Sequence, residues 1–307
     1  MASSVEEYRS GFVGIVGMPN AGKSTLVNCV LQQKLSIISS KPQTTRNRVL
    51  GIFSTDDMQV ALIDTPGIHR PSGRLHRVMV KSAEQVIPDM DVVTWVIDAV
   101  PQVQKLAKGK ELFNGGILHI SKLLADVPQL IVVFNKVDKL PKEKLFPLLL
   151  RFQQQFPNGH MVPLSALKND NVEALLRVWK KVLPIAPPMF PKDQFTDVTE
   201  RFLVSEMIRE KVFQLTNQEI PYSVAVEVEK FIEQPKSIKI YARIWVEKKS
   251  QKGIVIGHQG SLLKKIGTSA RRDIEQMLGT KVWLDIHVSI KDKWTDNPVS
   301  LKELGYE

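Results

Sequence analysis

The first 183 residues alternate short apolar runs with helical stretches. A short apolar run between turn residues is typical of a strand that is buried on both faces. Strands that alternate with helices favour a mostly parallel sheet with helices on both faces, which is an α/β fold. Ligands of such sheets bind beyond the carboxyl ends of the strands. The predicted strands lie at 12–16, 60–63, 92–97, 130–134 and 160–164.

The pattern after residue 199 is different, with helices on either side of strands of period two. Residues 201–216 and 261–278 each place their apolar positions on one helical stripe. The three segments between and after them alternate apolar and polar residues, so we expect a small sheet with one covered face. This pattern predicts a smaller α+β domain. The inward positions are Tyr222, Val224, Val226 and Val228, then Ile238, Ile240, Ala242, Ile244 and Val246, then Val282, Leu284, Ile286, Val288 and Ile290.

Prolines at 184, 187, 188 and 191 interrupt any regular structure between these two parts. Closely spaced prolines stiffen a chain, so this stretch is interpreted as a linker. The predicted organisation is an N-terminal extension at 1–9, a nucleotide-binding domain at 10–183, the linker at 184–199, a second domain at 200–292 and a C-terminal tail at 293–307. We expect the tail to become ordered only on docking.

Composition adds a charge to this picture. The formal net charge is +10, which suggests a polyanionic partner. The single cysteine, Cys29, cannot form an internal disulfide and favours a reducing compartment. No apolar run is long enough for a membrane span, and the N-terminus has no apolar signal core. We expect a monomer in a bacterial-type cytoplasm; a peripheral position at the inner membrane, or an organelle after removal of a transit peptide, are the alternatives.

A phosphate-binding motif follows the first predicted strand. Residues 17–24 fit G-x-x-x-x-G-K-[ST], the P-loop, and a predicted helix follows at once. Backbone N–H groups at the start of a helix can surround phosphates. The Lys23 ammonium is expected to reach the β- and γ-phosphates, and the Ser24 hydroxyl to bind Mg²⁺. The expected phosphate contacts are Gly17, Met18, Pro19, Asn20, Ala21, Gly22, Lys23, Ser24 and Thr25.

Two further segments complete the expected γ-phosphate and Mg²⁺ site. Asp64, Thr65, Pro66 and Gly67 end the strand at 60–63, where a carboxylate can hold Mg²⁺ through water and the Gly67 N–H can contact phosphate. Residues 41–48 carry a proline and two threonines, which suits a mobile loop. A threonine there could close on Mg²⁺ and open after hydrolysis. We favour Thr45 for this role, with Thr44 as the rival.

The base is predicted to be guanine. Asn135, Lys136, Val137 and Asp138 end the strand at 130–134, and a buried Asp138 carboxylate could accept hydrogen bonds from guanine N1 and N2. Adenine lacks that donor pair and would be rejected. Ser165 and Ala166 follow the next strand, where a backbone N–H is expected to meet guanine O6.

These motifs, in this order, resemble those of the translation-factor-related small GTPases. Residues 17–24 together with 41–46 are similar to the Era-type GTPases in particular. The resemblance implies hydrolysis of GTP to GDP and phosphate with Mg²⁺, through Lys23, Thr45 and Gly67.

One position limits the expected mechanism. Ile68 follows Gly67, where Ras-like enzymes have the glutamine that orients water, and isoleucine cannot form that hydrogen bond. Slow intrinsic turnover is therefore expected. One hypothesis is that Asn20 helps to hold K⁺ beside the β- and γ-phosphates and so supplies positive charge; a simple turn-forming role for Asn20 is the alternative.

The second domain contains a loop that resembles the Ile-Gly-x-x-Gly loop of KH domains, which clamps single-stranded RNA. Residues 248–272 carry seven Lys and Arg and no acid, although residues 184–307 as a whole carry 19 basic and 17 acidic residues. The RNA signal is therefore local. The expected RNA-binding residues are Lys248, Lys249, Lys252, Ile256, Gly257, His258, Gln259, Gly260, Lys264, Lys265, Arg271 and Arg272.

Together the sequence predicts a GTP-driven switch with a KH domain of the prokaryotic arrangement. The resemblance implies binding to small-subunit (16S-type) ribosomal RNA and assistance in biogenesis of the small ribosomal subunit. Two alternatives stay open. One is a GTPase of tRNA modification, and the other is a membrane-associated cell-cycle switch in which the basic residues meet anionic lipid.

Overall fold

The computed structural model describes residues 7–39, 41, 43–216 and 220–306. It divides into two compact units. The first unit comprises the chain up to residue 36 together with 45–71 and 79–197, and the second comprises 37–44, 72–78 and 198 onward. Residues 1–6 of the predicted N-terminal extension, Pro42 of the predicted mobile loop and the last residue of the tail lie outside the described residues.

The first unit is built on one sheet of six strands in the order β2-β3-β1-β4-β5-β6. All neighbouring strands are parallel except β2, which runs antiparallel to β3 at the edge. The predicted mostly parallel α/β fold is thus confirmed, while the edge strand β2 was missed. The strands are β1 Arg9–Val16, β2 Val49–Ser54, β3 Met58–Asp64, β4 Val92–Asp98, β5 Leu130–Asn135 and β6 His160–Pro163.

Helices connect these strands and cover the sheet. Central β4 and β5 are buried almost throughout, which is why they read as continuous apolar runs. Trp95 of β4 packs edge-on against Phe152, with ring centroids 5.6 Å apart. The helices are α1 Lys23–Leu31, α2 Arg74–Val86, α3 Ala99–Ala107, α4 Gly115–Leu123, α5 Phe146–Gln155 and α6 Val172–Val182.

The proline-rich stretch 184–197 belongs to the first unit and is pinned along its sheet. The Ser10 hydroxyl donates to the Pro187 carbonyl at 2.6 Å, and the Ile52 N–H donates to the Phe195 carbonyl at 2.8 Å. Gln59 accepts the N–H groups of Met189 and Phe190 on its side-chain oxygen. The bond from Ile52 satisfies a backbone N–H of the edge strand β2, which would otherwise be open to pairing with another chain.

The second unit contains a sheet of three strands in the order β7-β8-β9 with helices on one face. Strand β7 is antiparallel to β8, and β8 is parallel to β9. Ile240, Ala242 and Ile244 of β8 are fully buried, as the alternation predicted. Its elements are α7 Glu200–Leu215, β7 Ala225–Gln234, β8 Ser237–Val246, α8 Lys249–Ile256, α9 Ser261–Leu278, β9 Lys281–Ile290 and α10 Pro298–Glu303.

Two predictions for the second unit need correction, and one helix was not predicted. Tyr222 lies in a short 3-10 turn, Ile220–Ser223, because β7 begins only at Ala225. The apolar residues before the Gly-x-x-Gly loop belong to helix α8. The tail folds onto the unit itself: Trp294 is fully buried, donates from Nε1 to the Ser223 carbonyl at 3.0 Å and stacks on Tyr306. Within the described ranges, no helix has both the length and the apolar character needed to cross a bilayer.

Candidate nucleotide site and nucleic-acid groove

The P-loop connects β1 to α1, and two of its glycines allow close approaches that no other residue permits. A Cβ on Gly17 would lie 2.3 Å from the carbonyl oxygen of Val96. Gly22 has a φ of 95°, and a Cβ there would lie 2.2 Å from the side-chain nitrogen of Asn135. That nitrogen donates to the Ala21 carbonyl at 2.9 Å and so ties the P-loop to the end of β5. Met18, Pro19 and Asn20 form the crest of the loop, and Thr25 lies in the first turn of α1.

Lys23 lies under this loop with its ammonium buried. Its Nζ donates to the carbonyl oxygens of Gly17 and Met18, both at 3.2 Å. Burial lowers the pKa of Lys23 to about 8, and the charge of Asp64 opposes that fall. Phosphate oxygens beside Nζ would restore the stability of its charged form. The residue is therefore held where a nucleotide phosphate would be its natural counterion.

Asp64, Ser24 and Thr45 come together as a set of oxygen donors. Asp64 is fully buried at the end of β3, and neither of its carboxylate oxygens has a hydrogen-bond partner of normal geometry among the described residues. Burial raises the pKa of this carboxyl, and the charge of Lys23 opposes the rise. The Ser24 and Thr45 hydroxyl oxygens lie 2.8 Å apart. A hard divalent cation would satisfy these oxygens, so the residues present fit Mg²⁺.

The geometry separates Thr45 from its rival Thr44. Only Thr45 is buried against Ser24, whereas the Thr44 carbonyl accepts a hydrogen bond from the Arg209 guanidinium at 2.5 Å. Thr44 and Arg209 both belong to the second unit, where Lys41 Nζ also donates to the carbonyls of Phe213 and Thr216. Lys41 and Thr44 are thus tied to α7 and its C-terminal end through the Lys41 ammonium and the Thr44 carbonyl.

The residues after Asp64 approach the P-loop closely. Thr65 donates from its hydroxyl to the Ile15 carbonyl at 2.7 Å, and a Cβ on Gly67 would lie 2.7 Å from the Pro19 nitrogen. Ile68 is fully buried in the core, and its N–H donates to the Gly17 carbonyl at 3.0 Å. Its side chain packs in the hydrophobic core of the first unit. Pro66, which lies between Thr65 and Gly67 in the chain, is also buried.

His69 is a residue of this segment to which the sequence analysis gave no role. Its Nδ1 lies 3.0 Å from the Gly67 carbonyl oxygen, and the ring is half-buried. Burial lowers its pKa. Its position two residues after the predicted phosphate contact Gly67 would have been a usable signal that it belongs to this site.

The predicted base-binding residues meet at the ends of β5 and β6. The Ser165 hydroxyl donates to Asp138 Oδ1 at 2.6 Å, which orients the carboxylate. Asp138 is exposed rather than buried as predicted. The Ala166 N–H donates to Asn135 Oδ1 at 3.0 Å, so its predicted contact with guanine O6 requires a shared hydrogen bond.

Lys136 is positioned by a carboxylate that the sequence analysis did not single out. Its Nζ donates to the Asn20 carbonyl and to Asp98 Oδ2, both at 2.7 Å. Asp98 ends β4 and also accepts the Val100 N–H at the start of α3. Its position at the carboxyl end of a central strand was the available signal.

The Gly-x-x-Gly loop of the second unit opens a groove beside α9. Gly257 and Gly260 have φ values of 73° and 77°, and Gln259 between them also has a positive φ of 49°. A Cβ on Gly257 would lie 2.7 Å from the Cβ of Leu262. The groove has a volume of about 360 Å³. It is lined by Gly260, Leu263, Lys264, Gly267, Thr268, Arg271, Leu284 and Ile286.

Only part of the predicted basic cluster lines this groove. Lys264 and Arg271 do, with Gly260, whereas Lys265 and Arg272 are exposed on the flank of α9. The apolar floor from Leu263, Leu284 and Ile286 was not predicted as part of the site. The remaining members lie on α8 or in the loop: Lys248, Lys249, Lys252, Ile256, Gly257, His258 and Gln259.

A P-loop site with a guanine-type base motif, followed by a Gly-x-x-Gly groove on a three-stranded sheet, defines a P-loop GTPase joined to a KH domain. The family model for 50S ribosome-binding GTPases matches residues 12–136, and the KH-domain model matches residues 219–295. The GTPase Era of Geotalea uraniireducens is 47% identical, over 98% of this chain and 99% of its own. That of Geotalea daltonii is 46% identical over the same shares.

Two solved structures agree over nearly the full length. Era in complex with MgGDPNP and nucleotides 1506–1542 of 16S ribosomal RNA has a TM-score of 0.91 and 36% identity. An Aquifex aeolicus Era variant bound to GDP·AlF4⁻ has a TM-score of 0.88 and 36% identity, and each match covers 97% of this chain and 99% of the other. The chain belongs to the Era family of GTPases. The predictions of a GTPase, of GTP hydrolysis with Mg²⁺ and of a KH domain are therefore confirmed.

Proposed function

We propose that this GTPase binds small-subunit ribosomal RNA through its KH groove and assists biogenesis of the small ribosomal subunit. The observation that carries the proposal is the groove beside α9. Its apolar floor can hold unstacked bases, and Lys264 and Arg271 at its side can hold phosphates. The similarity to Era in complex with nucleotides 1506–1542 of 16S ribosomal RNA supports the same class of ligand.

The proposed nucleotide roles follow from the first unit. The P-loop N–H groups and Lys23 hold the phosphates, and Asp138 selects guanine with its carboxylate oriented by Ser165. Ser24, Thr45 and Asp64 hold Mg²⁺, which neutralises charge that develops on the phosphates. The Gly67 N–H is proposed to reach the γ-phosphate from beside Pro19.

K⁺ is proposed as a second cation, with Asn20 as its side-chain ligand. Asn20 is exposed at the crest of the P-loop with a φ of 61°, and its own carbonyl is already bound by Lys136. In this proposal the side-chain oxygen of Asn20 faces the cation beside the phosphates. The cation would supply positive charge beside the phosphates.

The two alternative functions have less support. Binding to lipid would need an exposed apolar face on the basic helix, but Ile266, Ala270 and Ile274 of α9 are fully buried against the sheet. The relatives are named Era rather than a tRNA-modification enzyme. A monomer suffices for the proposal because each site is built from one chain, and the bacterial relatives favour the cytoplasm.

The proposal is tested by crosslinking the full chain to RNA in cells and sequencing what is bound, in GTP and GDP states. We expect small-subunit ribosomal RNA from its 3′ region. The double variant Lys264→Glu, Arg271→Glu should lose these reads. The matched control Lys108→Glu, Lys110→Glu reverses two exposed lysines of the first unit and should keep them. Recovery of no ribosomal RNA in either state would overturn the proposal.

A further inference from the structure

The sheet of the second unit has an outer face that no described element of that unit covers. Side chains alternate across β8, so that Ile240 and Ala242 face the helices while Tyr241 and Arg243 face outward. On β9, Leu284 and Ile286 face the groove, and Trp283 faces outward. The KH groove and this outer face are therefore the two sides of the same edge strand, β9.

One end of this outer face carries exposed aromatic and aliphatic surface. Trp283 is 48% exposed and Ile232 is 43% exposed. The Trp283 and Tyr241 rings meet edge to face, with centroids 5.1 Å apart and planes at 62°. In that arrangement one ring supports the other from its edge and leaves a flat aromatic surface open. Contiguous exposed apolar surface, unlike a singly exposed side chain, marks interaction sites.

Three lysines surround this aromatic pair. Lys230 Nζ lies 5.8 Å from the centroid of the Tyr241 ring. Lys239 is the cross-strand partner of Trp283, and Lys281 precedes Trp283 by two residues on the same face. None of these lysines forms an ion pair with any residue that the structure describes. Asp285, the cross-strand partner of Tyr241, is an acidic residue beside this pair, and its Oδ2 lies 3.4 Å from His287 Nε2.

The opposite end of the same face is different, because its charges are already matched. Arg243 forms an ion pair with Glu229 at 2.5 Å, and Trp245 donates from Nε1 to Glu227 at 2.9 Å. The uncompensated positive charge is thus concentrated around Trp283 and Tyr241. A polyanion complements this end of the face, and a neutral apolar partner would leave its lysines unpaired.

We propose that single-stranded RNA binds here, with a base stacked on Trp283 and phosphates beside Lys230, Lys239 and Lys281. Aromatic rings that hold bases and basic side chains that follow the backbone are the two components of single-strand binding surfaces. An RNA strand that leaves the groove over Leu284 and Ile286 would reach this surface by crossing the edge strand β9. The inference rests on the proposed function, and it extends the RNA path beyond the KH groove.

The test measures the affinity of the full chain for RNA of nucleotides 1506–1542 of 16S ribosomal RNA, by fluorescence anisotropy at fixed salt. Trp283→Ala should bind roughly 5- to 150-fold more weakly, as expected for the loss of one base stack. Trp283→Phe should retain most of the affinity because it keeps a stacking surface. Phe146→Ala removes a similarly exposed aromatic ring from the first unit and should have no effect.

A second measurement uses the unmodified chain. The same RNA with 4-thiouridine should crosslink to peptides of the outer face that contain Trp283 or Tyr241. Lys239→Ala and Lys281→Ala should each reduce the slope of log affinity against log salt by about 0.7. Thermal melting of each variant at the wild-type temperature shows that its fold is intact.

The outcomes separate this inference from the proposed function. If Lys264→Glu with Arg271→Glu abolishes binding while Trp283→Ala leaves it unchanged, and crosslinks stay within the groove, the inference is overturned and the proposed function stands. That result would leave the outer face to a protein partner. If the wild-type chain does not bind the RNA at all, the proposed function and the inference fail together.

Discussion

The hydroxyl oxygens of Ser24 and Thr45 lie 2.8 Å apart, directly beside the buried Asp64 carboxylate. Ser24 is in the first turn of α1, and Thr45 comes from the segment between α1 and β2. Two hydroxyls at this separation can share one small cation, and the unmatched oxygens of Asp64 supply negative charge near it. The two hydroxyls and the Asp64 carboxylate are therefore arranged so that they fit one Mg²⁺ ion.

Replacement of Thr45 by alanine should remove one oxygen donor from the Mg²⁺ site. We expect kcat for GTP hydrolysis to fall on the order of 100-fold, since a preorganised group at the phosphates is lost. Thr44→Ala is the matched control, because only the Thr44 carbonyl is used in the structure. Steady-state phosphate release measures both variants. Equal losses in the two would contradict the assignment of Thr45.

Gly22→Ala should disconnect the P-loop from the base-binding strand. A Cβ at φ 95° would be strained and would lie 2.2 Å from Asn135 Nδ2, which holds the Ala21 carbonyl. We expect GDP and GTP affinities to fall about tenfold or more, measured by titration with a fluorescent nucleotide. Gly253→Ala is the control because a Cβ there meets no atom within 4 Å. Wild-type affinity in Gly22→Ala would show that this contact is dispensable.

Asp138→Asn should exchange the base preference from guanine to xanthine. The amide can donate to the second carbonyl of xanthine but cannot accept both guanine hydrogen bonds, so GTP should bind on the order of 10⁴-fold more weakly. Competition between GTP and XTP measures the exchange. Ser165→Ala only removes the donor that orients the carboxylate and should have a smaller effect without any gain for XTP. An unchanged preference in Asp138→Asn would locate base recognition elsewhere.

Local signals predicted the parts of the site that lie within one strand–loop–helix unit. The P-loop, the end of β3 and the end of β5 each follow a buried strand, and parallel strands bring such ends together. Which threonine faces Ser24 could not be decided from the sequence, because both have the same local chemistry. Asp98 was missed because its contact with Lys136 joins the ends of two strands that are far apart in the chain.

The errors in the second unit have similar causes. Helix α8 was not predicted, because the short apolar run at 254–256, where it ends, does not by itself distinguish a strand from a helix. Tyr222 fits the period-two pattern of β7 in the sequence, but it lies in the 3-10 turn Ile220–Ser223. The Ser223 carbonyl of this turn accepts a hydrogen bond from Trp294 Nε1. The sequence of the tail did not predict that Trp294 would be buried and would hold the tail against the second unit.

Trp294→Ala should therefore destabilise the second unit although it lies in the C-terminal tail. The ring is fully buried and stacks on Tyr306 at 5.7 Å, so its loss should cost about 3–5 kcal/mol. Urea unfolding followed by circular dichroism measures the change. Val299→Ala on the same tail removes a side chain that is 64% exposed and should leave the unfolding midpoint unchanged. Equal midpoints for both variants would mean that the tail does not contribute to the fold.

The proposed K⁺ site makes GTP hydrolysis depend on the monovalent cation. We expect wild-type kcat to be about tenfold or more higher in K⁺ than in Na⁺ at equal ionic strength, because positive charge at the phosphates stabilises the transition state. Asn20→Gly keeps the positive φ and the carbonyl that binds Lys136, and it removes only the side-chain oxygen. This variant should lose the difference between the two cations while its GDP affinity stays at the wild-type value. Equal wild-type rates in K⁺ and Na⁺ would rule the site out and leave Asn20 as a turn residue.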